Sequence, residues 1–387
     1  MRYFLSAGEA SGDIHAAQLI KALMQCDTRA EFAFLGGDLM SEAARRTPVI
    51  DYRRMAFMGF SEVLRHLPEI FGNLRTAKRA IAEFRPDALI VVDYPSFNLK
   101  LAEYASSLGI PVYYYISPKV WAWKSWRVKQ MRRYIRRVLS ILPFEEKWFA
   151  ERGMKVKYVG NPSLEEIEER IASQPSRDEF CRHWDLNSDR PILGLVPGSR
   201  RGEIRCNLPV MKAVAERHPG MQAVVTGAPG IEPEIYTSIW PDAKVVSDAT
   251  TAVMRHAEAA LVTSGTATLE CALCGTPQVA CYRANGVKLS YNIMKHLIKA
   301  PFVTLPNLIA GREVIPEMLV HLCTPDSVDS HLSALLDTAG EARAAQLAGY
   351  ADMRRALGHN AAAETAAAEI VNDLLELKST NSDKHDN

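Results

Sequence analysis

Residues 89–98 read LIVVDYPSFN, an unbroken aliphatic run that ends on Asp93 with Pro95 behind it. A carboxylate at the carboxyl end of a buried strand can accept a proton from an attacking hydroxyl, a step worth about 10²–10⁴-fold in rate. An aspartate before a proline also serves as a helix cap, so the spacing alone leaves both roles open. Three further loops follow strand-like runs in the same way. In SAGEASGD, residues 6–13, Gly8 and Gly12 permit a tight turn, Glu9 projects a carboxylate suited to a sugar hydroxyl, and Ser11 or Asp13 can cap the next helix. The turn lacks G-x-G-x-x-G, so it is not a dinucleotide fingerprint. In PGSRRGE, residues 197–203, Gly198 frees the backbone, Ser199 can donate, and Arg200 and Arg201 offer guanidinium forks to phosphate oxygens. In TSGTATLE, residues 263–270, Ser264, Gly265 and Thr266 open a helix whose free amides would receive a diphosphate, and Glu270 one turn on can accept two ribose hydroxyls. Solvated arginines and a glutamate that complements a helix dipole are the plainer readings of the last two loops. Together they read as a nucleoside-diphosphate site. No D-x-D or H-x-x-x-H spacing occurs, so a departing diphosphate is expected to be neutralised by protein cations and helix amides, without a metal or other cofactor.

These loops need strands to carry them. At 387 residues the chain is long enough for two domains. Apolar runs without polar alternation (RYFLS, EFAFL, DALIVV, PVYYYI, VLSIL, KVKYV, then PILGLV, QAVVT, AALVT, PQVAC) are separated by helical patterns, which indicates parallel strands covered on both faces. The fold class is therefore α/β, with two doubly wound, Rossmann-like domains expected to face each other across a cleft. A charge-rich, strand-free stretch near 160–190 marks the boundary, giving domains at 1–165 and 166–345, helices at 346–377 returning to the first domain, and a disordered tail at 378–387.

The formal net charge of +1 excludes a global field for nucleic acid, and none is expected as a partner. No segment reaches the roughly 18 apolar residues of a membrane span, and the apolar start MRYFLSAGEASGD is too short for a signal sequence. Seven scattered cysteines read as reduced thiols, and the lone pair Cys271 and Cys274 as small buried hydrophobes. Two surface features are local. Residues 60–81 place Val63, Leu64, Leu67, Ile70 and Phe71, then Leu74, Ala77 and Ile81, at helical spacing, with Pro68 restarting the helix. WAWKSWRVKQMRRYIRR, residues 121–137, sets Trp121, Trp123 and Trp126 beside Arg127, Arg132, Arg133, Arg136 and Arg137 with no acid, a pattern suited to an anionic bilayer surface.

Seven ordered motifs, AGEASGD at 7–13, VVDYPSFN at 91–98, YYYISPKVWAWK at 113–124, LPFEE at 142–146, LVPGSRRGE at 195–203, TSGTATLE at 263–270 and LPNLIAGRE at 305–313, resemble the lipid-A-disaccharide synthase family over nearly the whole chain. The family comprises inverting glycosyltransferases of GT-B fold. The resemblance implies transfer of 2,3-diacylglucosamine from UDP-2,3-diacylglucosamine to the 6-hydroxyl of 2,3-diacylglucosamine 1-phosphate, giving a β-1,6 disaccharide and UDP. It implies a peripheral enzyme on the cytoplasmic face of the inner membrane and a homodimer. It places the essential aspartate on Asp93, the essential arginine on Arg200, the loop glutamate on Glu9, Asn98 on the acceptor side, and Asn307 and Glu313 with the UDP-sugar. The apolar stripe matches the family's membrane-contacting patch. Ser96 stands where some members have a second aspartate, and Asn161 where a histidine is frequent. The competing readings are a UDP-sugar epimerase of the same fold and a non-catalytic membrane-surface protein.

Overall fold

The computed structural model describes residues 1–55, 66–123, 125–263, 265–283 and 302–382. The chain forms two compact units, one of Met1–Pro162 with His359–Asn387 and one of Ser163–Gly358.

The first unit is built on seven parallel strands: β1 (Arg2–Ala7), β2 (Glu31–Gly36), β3 (Ile50–Asp51), β4 (Ala88–Val92), β5 (Val112–Tyr115), β6 (Arg137–Ser140) and β7 (Val156–Tyr158), in the order β3-β2-β1-β4-β5-β6-β7. Their unbroken apolar runs follow from having a core on each face. Tyr3, Leu5, Ile90, Val92, Tyr113 and Tyr115 bury into one, and the intervening Phe4, Leu89, Val91 and Tyr114 into the other. The Leu67–Phe84 helix carries Pro68 in its first turn and buries Leu74, Ala77 and Ile81 in the second of these cores.

The second unit carries β8 (Ile192–Val196), β9 (Gln222–Gly227), β10 (Lys244–Ser247), β11 (Ala257–Val262), β12 (Gln278–Tyr282) and β13 (Glu317–Leu319), again all parallel, in the order β10-β9-β8-β11-β12-β13. Sequence periodicity does not reveal β3, β10 and β13. They are short edge strands, and only the backbone hydrogen bonds of a neighbour define them.

The C-terminal region departs from expectation in two ways. The Glu341–Leu357 helix stays with the second unit, because Gln346 exchanges hydrogen bonds with the backbone of Gln278 (2.7 and 3.0 Å) and the Tyr350 hydroxyl donates to the Thr276 carbonyl (3.0 Å). Only the Ala362–Ser382 helix belongs to the first unit, where Ala363, Ala366, Ala367, Ile370 and Leu374 pack into the core beside the Ala10–Cys26 helix. That helix also continues through residues 378–382, which the sequence reads as tail. Its alanines let two helices approach closely, and full burial of Ile370 or Leu374 is worth about 1.5–3 kcal/mol each.

In both sheets the strand order reverses once, between β1 and β4 and between β8 and β11. Ligands of open α/β sheets bind outside the carboxyl ends of strands at such reversals. The Glu9 and Asp93 loops flank the first reversal, and the Arg200 and Thr266 loops the second.

Candidate active site

Asp93 and Tyr94 both adopt left-handed backbone, with φ of 42° and 46°. Two consecutive non-glycine residues in that region cost about 1–3 kcal/mol each and persist only where surrounding contacts over-determine them. Those contacts come largely from Asn98. Its amide donates to the carbonyls of Asp93 (2.8 Å), Val92 (3.1 Å) and Ser6 (3.3 Å), while its oxygen accepts from the Ser6 hydroxyl (2.7 Å). Tyr114 adds a hydroxyl bond to the Asp93 carbonyl (2.6 Å), and the Tyr94 hydroxyl anchors on the Met55 carbonyl (2.6 Å). The Tyr94 ring lies against Gly8, where an added Cβ would meet it at 2.3 Å, so the β1 turn requires glycine there. Asn98 is fully buried with its amide saturated, so it positions the Asp93 backbone and does not reach an acceptor.

Burial raises the pKa of the Asp93 carboxyl above the usual aspartate value, and the Glu9 carboxylate raises it further, against the opposing charge of Lys119 and a backbone amide bond. A half-buried carboxylate with a raised pKa is a stronger base than a solvated one. Glu9 is itself the N-cap residue of the Ala10–Cys26 helix and makes no side-chain cap bond. The expected caps act elsewhere: Asp13 is buried and accepts from the amides of Gly37 (2.6 Å), Leu39 (3.1 Å) and Met40 (3.3 Å), capping the Asp38–Ala44 helix instead.

In the second unit Gly198 sits at φ 122°, and a Cβ there would meet Glu203 at 2.7 Å. Glu203 accepts from the Ser199 amide (3.1 Å) and from Arg200 (3.2 Å), shaping the loop from within. Both loop arginines pair with a carboxylate, Arg201 with Glu232 at 2.5 Å and Arg200 more loosely with Glu203, and the Arg200 side chain is 78% exposed. Gly265, at φ 138°, opens the Thr266–Cys274 helix; Ser264 lies outside the described residues. Glu270 accepts from the Thr251 hydroxyl, and its Oε1 lies 3.7 Å from Arg170. A second buried asparagine, Asn207, ties the strand ends together: its amide donates to Pro197 (3.1 Å) and Thr263 (3.0 Å), and its oxygen accepts from the Arg283 amide (2.7 Å). It plays in this unit the part that Asn98 plays in the first.

Asn307 lies on the Leu305–Ala310 helix, which packs against the Thr266–Cys274 helix, but its side chain is turned to local structure. The Asn307 amide is fully buried and saturated by Ile315, Glu317 and the amides of Val314 and Ile315, so it clamps the approach to β13 and has no group left for a sugar. Glu313 is exposed and lines a separate cavity of about 210 Å³ with Pro316, His331 and Gln346.

The sequence comparisons agree along the whole length. Residues 3–371 match the lipid-A-disaccharide synthetase family. The chain belongs to that family. The lipid-A-disaccharide synthase of Myxococcus xanthus is 40% identical over 97% of both chains, and that of Geobacter metallireducens 36% identical over 97% of this chain and 98% of its own. Among solved structures, the UDP-GlcNAc 2-epimerase of Neisseria meningitidis bound to UDP-GlcNAc is 12% identical, with a TM-score of 0.62, over 97% of this chain and 100% of that one. The calicheamicin glycosyltransferase CalG4 is 15% identical, with a TM-score of 0.60, over 97% and 99%. At such identities the likeness is one of fold, the two-sheet architecture of GT-B glycosyltransferases and their epimerase relatives.

Among the family motifs, LPFEE carries a group to which sequence reasoning gave no role. Glu145 is 1% exposed and accepts from Ser117 (2.7 Å), from the Trp121 indole (2.9 Å) and from Ser140. Trp121 is therefore buried and hydrogen-bonded, and it does not face a membrane. The available signal was a glutamate one turn past a strand end, the rule that had already found Asp93. Burial pushes the Glu145 carboxyl up to about 7, although all three donors and Lys119 oppose the shift. A carboxyl raised from 4.5 stabilises the fold fully below about pH 4.5. That stability falls as pH rises from about 4.5 to about 7, where the unfolded chain alone has released its proton, and is flat above. At about 1.4 kcal/mol per pKa unit the loss is on the order of 3 kcal/mol. Urea denaturation at pH 5 and pH 7 is expected to show Glu145→Gln losing less stability than wild type between the two. Equal losses in the two proteins would mean that Glu145 titrates as an ordinary carboxylate.

The basic run is also divided by the fold. Arg136 and Arg137 pair with Asp373 of the Ala362–Ser382 helix, which is 1% exposed. Burial alone would raise the Asp373 pKa, but hydrogen bonds from Arg136, Arg137 and Tyr113 outweigh it and draw it down to about 2. Arg132 and Arg133 remain exposed, as do Phe71 (53%) and Trp126 (65%), and Ile70 is half-buried. Val63 and Leu64 lie outside the described residues, as do the side chains of Leu67 and Trp123.

Proposed function

We propose that this protein transfers 2,3-diacylglucosamine from UDP-2,3-diacylglucosamine to the 6-hydroxyl of 2,3-diacylglucosamine 1-phosphate. The observation that carries the reading is whole-length family membership together with a rigidly held, half-buried carboxylate at the first sheet's strand-order reversal and a largely exposed arginine at the second's. Asp93 takes the proton of the 6-hydroxyl as its oxygen attacks the donor's anomeric carbon from the face opposite UDP. The carbon–oxygen bond to the diphosphate breaks with inversion, and the electron pair leaves on UDP. Arg200, the loop amides around Ser199 and the first amides of the Thr266–Cys274 helix bind the diphosphate, with Ser264 from the same turn. Glu270, whose Oε2 has no protein partner among the described residues, takes the ribose hydroxyls. Protein cations and dipoles supply the charge needed for a metal-independent displacement.

The exposed Phe71 and Trp126 with Arg132 and Arg133 support peripheral binding to an anionic membrane surface, and the family resemblance puts it on the cytoplasmic face of the inner membrane. No helix among the described residues is long and apolar enough to cross a membrane. A homodimer rests on the resemblance alone. Mass spectrometry of a reaction containing both acylated sugars is expected to show the disaccharide 1-phosphate and UDP. Its absence, or conversion of UDP-N-acetylglucosamine to its 2-epimer, would overturn the assignment.

A further inference from the structure

A cavity of about 550 Å³ opens beside the Asp93 turn, within the size range of ligand sites. Its walls are mostly apolar, with Ile70, Phe71 and Leu74 on one helix and Phe97 and Leu99 on another. Within these walls stands Arg127, whose guanidinium bonds to the Ser96 hydroxyl at 3.2 Å and lies 5.6 Å from the Trp126 ring centre. No carboxylate pairs with Arg127 among the described residues, whereas Arg136 and Arg137 on the approach to the following strand share Asp373. Burial works against the Arg127 charge, with only the Tyr114 hydroxyl opposing the effect. Lys100, exposed at the rim of the same cavity, lies 5.1 Å from the Phe71 ring centre and pairs with no carboxylate among the described residues. Arg127 is thus a half-buried cation in an apolar-walled recess, with exposed Lys100 at the rim, and among the described residues the only carboxylate lining the cavity is Glu9. Such a charge is costly unless a ligand anion completes it. Ser96 is in the first turn of the helix that begins two residues past Asp93, so the guanidinium is fixed to the same rigid turn as the base.

We infer that Arg127, assisted by Lys100, binds the phosphomonoester of the acceptor and so selects a phosphorylated acylglucosamine, with an acyl chain against the apolar walls. The inference rests on the proposed transfer reaction for its ligand. An arginine fork suits a phosphate monoester, which presents several oxygens to a planar pair of donors.

The test compares wild type, Arg127→Gln and Arg127→Lys on diacylglucosamine with and without its 1-phosphate, by transfer kinetics and by calorimetric binding of each acceptor without donor. A charge-assisted contact is worth about 1.5–3 kcal/mol, so Arg127→Gln is expected to raise the KM and Kd of the phosphorylated acceptor about 10- to 100-fold. Donor KM is expected to stay near wild type, the unphosphorylated acceptor to be bound equally by both proteins, and Arg127→Lys to recover part of the loss. Thermal melts verify that the variants fold. An unchanged preference for the phosphate in Arg127→Gln would overturn the inference. So would intact discrimination combined with weakened sedimentation on phosphatidylglycerol vesicles, which would assign Arg127 to membrane headgroups. If wild type forms no disaccharide, the transfer reading fails, while the calorimetric comparison still decides Arg127 on its own.

Discussion

Asp93→Asn is expected to lower kcat by about 10²–10⁴ while leaving UDP affinity unchanged. The substitution keeps the shape of a side chain whose backbone is fixed by Asn98, Tyr114 and Ser6, so the turn is expected to survive it and only the proton acceptor is lost. Titration calorimetry with UDP separates this outcome from a folding defect, and near-normal turnover would remove Asp93 as the base. The charge environment provides an independent arm. Burial first, and the Glu9 carboxylate second, raise the Asp93 pKa, so the acid limb of kcat/KM is expected above the usual aspartate range. Glu9→Gln removes one of the two raising effects, and the limb is expected to move to lower pH. A limb that stays in place would show that another group sets it.

Arg200→Gln is expected to cost about 10²–10³ in kcat, the scale of losing one donor to developing transition-state charge. The neighbouring Arg201 is turned to Glu232 and does not take the place of Arg200 without breaking that ion pair. Among the described residues Arg200 has one side-chain contact, to Glu203 at 3.2 Å through Nη1, which leaves other donors of its fork for phosphate oxygens. Arg200→Lys is expected to recover only part of the rate, since an ammonium cannot make the paired contacts of a guanidinium. Wild-type activity is expected to persist in EDTA; its loss would put a metal where Arg200 is proposed to act. A kcat within a few fold of wild type in Arg200→Gln would end the case for this loop as the diphosphate site.

Parallel strands buried on both faces must be written as continuous apolar runs, and a strand's carboxyl end is where such a run stops. For that reason the α/β class, the two sheets and the loops carrying Glu9, Asp93, Arg200 and Glu270 were legible from residues alone. The seven ordered motifs placed the chain in its family in the same way. What the sequence left open depended on partners far along the chain. Asn98 looked like an acceptor ligand until its bonds to Ser6, 92 residues away, made it a clamp on the Asp93 turn. Asn207 joins Thr263 across 56 residues, and Asn307 is consumed by its own surroundings. Arg136 and Arg137 read as part of an acid-free basic run because Asp373, which neutralises them, lies 237 residues beyond Arg136 on the returning helix. Trp121 reads as part of an aromatic and basic surface run because Glu145, which accepts from its indole in the core, lies on the Phe144–Ala150 helix that follows another strand. Local periodicity records which face of an element is apolar. Only the packed tertiary structure decides which polar groups satisfy one another, and so which cations remain free for a ligand.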